Sequence, residues 1–126
     1  MPTTSSTSPS HRVLLVLDAQ HGFLSDPPVG VPSARALRAN IAIVLARARA
    51  SAEPPLIVHV RNTGDFGELD EPHTAGWELE HTPLAREHVI DKKKNNAFTG
   101  TRLDALIAKD AEIVIVGTQS DFSVRA

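Results

Sequence analysis

The chain has 126 residues, of which 41% are hydrophobic, and a formal net charge of -2 at pH 7. This length and composition suit a single domain with one core, and the mixed charges form no basic stripe that would follow a phosphate backbone. We therefore expect a small-molecule substrate and no nucleic-acid partner. The sequence contains no Cys, which excludes disulfides, thiolate metal sites and a cysteine nucleophile.

The first ten residues have neither an apolar run nor a positive charge, so they do not resemble a signal peptide or a transit peptide. We predict a disordered tail over residues 1–11 and one domain over residues 12–126. No apolar stretch approaches the roughly 20 residues that a membrane-spanning helix requires. These features favour a cytoplasmic protein without a membrane partner.

The apolar, β-branched run at 13–17 predicts a strand buried on both faces, with Asp18 at its carboxyl end. Ser33 is a plausible N-cap for a helix whose apolar residues recur at helical spacing and which ends before Pro54. A second apolar strand follows at 56–60, and strand, helix and strand in this order predict a parallel sheet.

The rest of the chain predicts a long polar loop and three further elements. The loop covers residues 62–83, carries three Gly and six acidic residues, and is typical of a functional or mobile segment. The further elements are a short strand around 88–90, a helix over about 101–109 and a strand at 113–116.

Three segments resemble one known family, and they occur in that family's order. They read Leu14-Leu-Val-Leu-Asp18-Ala-Gln-His-Gly-Phe23, then Val89-Ile-Asp-Lys92-Lys-Lys-Asn-Asn-Ala97-Phe98-Thr-Gly100-Thr101, then Glu112-Ile-Val-Ile-Val-Gly117-Thr-Gln-Ser-Asp-Phe-Ser123-Val-Arg-Ala126. The chain from Val13 to Ala126 is similar to the isochorismatase-like cysteine hydrolases, which include nicotinamidases and N-carbamoylsarcosine amidase. The resemblance implies a three-layer α/β/α, Rossmann-like fold with a parallel sheet. It also implies hydrolysis of an amide or related C–N bond, or of a vinyl ether in the isochorismatase branch.

The resemblance also implies roles for individual residues. Asp18 corresponds to the catalytic base and Lys92 to its cationic partner, although a register error of one would select Lys93 instead. Ser123 occupies the position of the nucleophilic Cys, and the backbone N–H groups of Gln119 and Ser123 correspond to the oxyanion donors.

The sequence departs from the family pattern in two ways. A Ser stands where the family has its Cys, and only three residues follow Ser123, so the last elements of the fold are expected to be missing. We therefore expect a truncated, inactive pseudoenzyme, with a non-catalytic binding or remnant protein as the alternative. Loss of those elements would uncover the strand at 113–116, which favours a homo-oligomer. A flavodoxin-like phosphate binder is disfavoured because no Gly-rich loop follows the first strand.

Four further residues are candidates for the substrate pocket: Phe23, His59, Arg61 and Trp77. His59 together with His73 and His81 suggests a metal site, as in nicotinamidases, but the Asp-x-His spacing of that site is absent. We expect neither a metal nor a cofactor.

Overall fold

A computed structural model describes residues 10–93 and 103–118 of the chain. Residues 1–9 of the tail predicted over 1–11 and the segment 119–126, which contains Gln119 and Ser123, lie outside the described residues, whereas residues 10 and 11 belong to the first strand. The described elements, in chain order, are strand β1 (Ser10–Leu17), helix α1 (His21–Leu24), helix α2 (Ala34–Ala50), strand β2 (Leu56–Asn62), a short 3-10 helix (Ala75–Trp77), strand β3 (His88–Lys92), helix α3 (Leu103–Leu106) and strand β4 (Ile107–Gly117).

The four strands form one parallel sheet in the order β3-β2-β1-β4. Val13 of β1 is aligned with Leu56 of β2 and with Ile113 of β4, so the apolar run of β1 lies in the middle of the sheet. Strands buried on both faces are expected to be continuously apolar, as this one is. The predicted α/β class with a parallel sheet is confirmed.

The side chains of the strands alternate between two cores because successive residues of a strand point to opposite faces. One core contains Val13, Leu15, Leu17, Val58, Val60, Ile90 and Ile107. The other contains Leu14, Val16, Ala19, Leu24, Ile41, Leu45 and Ile57, and here the apolar stripe of α2 packs on the sheet. No helix in the described ranges is long and apolar enough to cross a bilayer.

Two predicted boundaries were wrong near the end of the chain. The helix predicted over 101–109 is described only as α3, and β4 begins at Ile107 instead of Ile113. Ile107 is buried in the first core and is aligned with Ser10, so pairing with the start of β1 supports an extended conformation here. Tertiary pairing thus outweighs the helical spacing of the sequence.

The predicted loop after β1 contains one turn of helix, α1, whose Leu24 is fully buried. The third strand is longer than predicted and ends at Lys92, which is aligned with Asn62 at the end of β2. The carboxyl ends of β1, β2 and β3 therefore place Asp18, Asn62 and Lys92 at one edge of the sheet.

Candidate functional site

Asp18 and Lys92 meet at the carboxyl edge of the sheet. Lys92 Nζ lies 3.1 Å from Oδ1 of Asp18, and both side chains have 0% exposure. A charge removed from water is tolerated when it is paired with an opposite charge and hydrogen-bonded. The two residues that the sequence predicts as base and cationic partner are thus neighbours, whereas their catalytic roles stay predictions.

The backbone around Asp18 turns sharply where β1 ends. Asp18 has a φ of 58°, in the left-handed region that few non-glycine residues adopt. Its N–H group donates to the carbonyl of Val60 at 2.9 Å, and its carbonyl accepts from the hydroxyl of Thr118 at 2.8 Å. These two bonds hold a conformation that would otherwise be unfavourable, a type of strain that occurs often at functional sites.

Lys92 has a second contact that the sequence did not predict. Its Nζ donates to Oδ1 of Asn62 at 3.1 Å, and Nδ2 of Asn62 donates to Oδ2 of Asp70 at 2.5 Å. The register also resolves the choice between adjacent lysines, because Lys93 is exposed whereas Lys92 is buried beside Asp18.

Gln20 is a further buried polar residue that sequence reasoning missed. Its Nε2 donates to the carbonyls of Asn62 at 2.8 Å and Trp77 at 2.9 Å, and its Oε1 accepts from the N–H of Asn62 at 2.8 Å. The position of Asn62 at the end of an apolar strand was a usable signal, because polar residues at that edge of a parallel sheet converge. Gln20 offered no comparable signal.

Phe23 lies beside this group of polar residues. A cavity of about 400 Å³ is lined by Phe23, Asn62, Glu68, Leu69 and Asp70. The cavity shares Asn62 with the Asp18–Lys92 pair, which connects it to the site. Asn62, Glu68 and Asp70 give this cavity polar walls, which suits a small molecule that is oriented by hydrogen bonds.

Arg61 and Trp77 pack against each other near the same edge. The guanidinium carbon of Arg61 lies 3.5 Å from the centre of the Trp77 ring, and Nε of Arg61 donates to Asp91 at 2.6 Å. The indole N–H of Trp77 donates to the hydroxyl of Thr63 at 3.2 Å. Both side chains therefore have protein partners, and their contact with substrate stays a prediction.

His59 does not lie beside the Asp18–Lys92 pair. It is 1% exposed, on the face of β2 that packs against α2, and its Nε2 is 2.7 Å from Oε1 of Glu87. Burial lowers the pKa of His59 below its ordinary value of 6.5. The structure does not bring this side chain together with Asp18 and Lys92. Within residues 10–93 and 103–118, no three His, Asp or Glu side chains are close enough to hold a metal ion.

A buried carboxylate–ammonium pair at the carboxyl ends of parallel strands, beside a cavity, is the arrangement of an α/β protein with a small-molecule crevice. Comparison with known proteins supports this description of the fold. Residues 12–126 match the family described as "Isochorismatase domain", and the chain belongs to this family.

Two curated relatives from Streptomyces noursei are both called "Streptothricin hydrolase". One is 39% identical over 120 residues, and the match covers 91% of this chain and 42% of the relative. The other is 37% identical over 130 residues and covers 99% of this chain and 50% of the relative. The chain thus spans half or less of the length of these two proteins.

The fold is similar to the crystal structure of an isochorismatase from Pseudomonas putida KT2440. The TM-score is 0.75 at 32% identity, and the match covers 91% of this chain and 62% of that protein. The family resemblance and the isochorismatase-like fold are therefore confirmed, and members of this family act on small molecules.

Proposed function

We propose that the crevice at Asp18 and Lys92 has the layout of a hydrolase site whose ancestral reaction is hydrolysis of a C–N bond of a small amide. The observation that carries the proposal is the buried contact of 3.1 Å between the two side chains. In this proposal Asp18 is the base, Lys92 is the electrostatic partner, and position 123 holds the nucleophile. Burial makes such a pair effective because a charge in a site without water is screened less than in solvent.

The reaction would follow the usual course of acyl transfer. Asp18 removes the proton of the nucleophile, which attacks the carbonyl carbon, and the resulting oxyanion accepts hydrogen bonds from the N–H groups of Gln119 and Ser123. The leaving nitrogen takes the proton from Asp18 as the C–N bond breaks. Water then hydrolyses the acyl intermediate, with Asp18 again acting as the base.

Ser123 makes this chain a poor catalyst of that reaction. A thiol has a pKa of about 8.5 and comes within reach of a carboxylate base, whereas an alkyl hydroxyl is far less acidic and needs a well-placed His. His59 is not at the site. We therefore expect the chain as given to be inactive on amides, and a non-catalytic role in binding a small molecule is the competing proposal.

The absence of Cys favours a second candidate, hydrolysis of a vinyl ether. This reaction needs no nucleophilic side chain. Asp18 would deliver a proton to the terminal carbon, water would add to the resulting oxocarbenium ion and return a proton to Asp18, and the hemiketal would collapse to a ketone and an alcohol. Lys92 would then hold an anionic group of the substrate.

The decisive test of the amide proposal is the reactivity of a thiol placed at position 123. The sequence has no other Cys, so alkylation of Ser123→Cys by iodoacetamide reports on this one position. A thiol activated by Asp18 should react several-fold faster in Ser123→Cys than in Ser123→Cys combined with Asp18→Asn. Equal rates in the two variants would contradict the role of Asp18 as base.

Turnover assays separate the candidate functions. The native chain, Ser123→Ala and Asp18→Asn would be tested with nicotinamide, carbamoyl compounds, streptothricin and an anionic vinyl ether. Vinyl-ether turnover that survives Ser123→Ala and is lost in Asp18→Asn supports the second candidate. Amide turnover by the native chain that is lost in Ser123→Ala would overturn the expected inactivity. Binding without turnover of any compound supports the non-catalytic role.

A further inference from the structure

We propose that Asn62 is a positioning residue that fixes the orientation of the Lys92 ammonium, and that Asp70 fixes Asn62 in turn. The inference deepens the proposed function and rests on it, because it concerns the cation of the same site. Its basis is a continuous line of hydrogen bonds, from Lys92 Nζ to Asn62 Oδ1 at 3.1 Å and from Asn62 Nδ2 to Asp70 Oδ2 at 2.5 Å.

Asp70 determines which way the Asn62 amide faces. An ionised carboxylate only accepts hydrogen bonds and an ammonium only donates them. A flipped amide would therefore oppose its oxygen to Asp70 and its NH₂ group to Lys92, which gives two repulsive contacts instead of two hydrogen bonds. The amide oxygen of Asn62 is thus directed at Lys92 by charge on both sides.

The backbone of Asn62 is held as firmly as its side chain. Gln20, which is fully buried, accepts from the N–H of Asn62 and donates to its carbonyl, both at 2.8 Å. Asp70 is 5% exposed, and its carbonyl accepts from the N–H of Gly64 at 2.8 Å. A Cβ at Gly64 would collide with the Asp70 carboxylate, so the absence of a side chain there admits Asp70 to the site.

These contacts restrict the rotation of the ammonium. A Lys ammonium has three N–H bonds on a flexible stem, and one carboxylate partner leaves it free to turn about that contact. Two acceptors, Asp18 and Asn62, fix two N–H directions, and tetrahedral geometry then fixes the third. In the proposed reaction the third N–H bond is the one that would face the reacting group, so Asn62 aims the positive charge of Lys92.

The test reads the Lys92 ammonium directly by NMR, through exchange of its Nζ protons with water. In the native chain we expect slow exchange and a resolved signal. Asn62→Leu removes the oxygen that accepts a hydrogen bond from the charged Lys92 ammonium. It should accelerate the exchange of the Nζ protons about tenfold. Asp65→Asn removes a carboxylate at an exposed position of the loop that carries Asp70, and it should leave the exchange rate unchanged.

A reciprocal exchange of the two side chains separates positioning from general damage to the fold. Asp70→Asn alone removes the charge that orients the Asn62 amide and should accelerate the exchange of the Lys92 protons, by less than Asn62→Leu does. The double variant Asn62→Asp with Asp70→Asn keeps both hydrogen bonds and the total charge, with one bond reversed in direction. It should restore slow exchange to within about twofold of the native rate.

Each outcome of these experiments either supports or overturns the positioning role of Asn62. Restoration by the double variant, with all variants folded by circular dichroism, supports positioning. An unchanged rate in Asn62→Leu, or a double variant no slower than Asp70→Asn, would overturn it. The readout needs no turnover, so a failure of the proposed hydrolysis would show in the Ser123→Cys experiments and leave this result standing.

Discussion

Nε2 of His59 lies 2.7 Å from Oε1 of Glu87, and both side chains are 1% exposed. Because an ionised carboxylate only accepts, the His59 tautomer with a proton on Nε2 is the donor. Arg49 of α2 also donates to Glu87, from Nε at 2.6 Å and from a terminal nitrogen at 2.7 Å. One buried carboxylate thus joins β2, α2 and the segment before β3.

This cluster predicts that stability falls as the pH falls. Burial lowers the pKa of His59 below 6.5, so the unfolded chain takes up that proton first. Burial would raise the pKa of Glu87, but hydrogen bonds from Arg49 and His59 outweigh it and lower the pKa from 4.5 to about 2. Both groups bind protons more readily in the unfolded chain, so their contributions decline below pH 6.5 and again as pH falls from 4.5 toward 2.

Urea unfolding at several values between about pH 8 and pH 3 measures this dependence. A free energy of unfolding that is constant or rises as the pH is lowered over that range would contradict the prediction.

Glu87→Gln tests the carboxylate itself. The variant keeps the shape of the side chain but removes the charge that faces Arg49 and His59, and we expect a loss of about 2 kcal/mol in the free energy of unfolding at neutral pH. It should also flatten the decline in stability below pH 4.5. Glu53→Gln, at an exposed position, is the matched control and should do neither.

The Asp18–Lys92 pair predicts a strong dependence of each side chain on the other. Asp18→Asn or Lys92→Met removes one charge of the buried ion pair, and we expect each to lower the free energy of unfolding by about 3 kcal/mol. The double variant should lose much less than the sum, because it removes both buried charges together. Asp110→Asn removes the charge from an exposed contact with His11 and serves as the control. Additive losses would show that the two charges do not interact.

Sequence reasoning located Asp18 and Lys92 but missed Asn62, Gln20 and Asp70. Asp18 ends an apolar strand and Lys92 lies within a segment that resembles the family, so the local sequence pattern was sufficient to identify both residues. Asp70 reaches the site only because the loop after β2 folds back, and no local rule predicts a return of that kind. The start of β4 was mispredicted for a similar reason, since its pairing with β1 decides the conformation and involves residues about 100 positions away.

Trp77 is the only Trp of the chain, so its fluorescence reports on one place. It is 8% exposed and lies under Arg61, which predicts a blue-shifted emission in the folded state. Trp77→Phe retains an aromatic ring for Arg61 but loses the donor to Thr63, and we expect a cost of about 1 kcal/mol. Trp77→Leu loses the ring as well and should cost about 3 kcal/mol. Equal losses in the free energy of unfolding for the two variants, measured by chemical unfolding, would contradict this order.

The last prediction concerns β4, which pairs only with β1 among the described strands and so forms an edge of that sheet. Val114 on this strand is 60% exposed and Ile113 is 39% exposed. An apolar edge strand is a template for pairing with another chain, so the chain should associate as its concentration rises. Val114→Lys places a charge on the edge and should shift the sedimentation profile toward the monomer. Phe66→Lys removes a more exposed apolar side chain on the loop after β2 and should not. If both variants reduce association equally, general hydrophobic contact and not pairing at β4 is responsible.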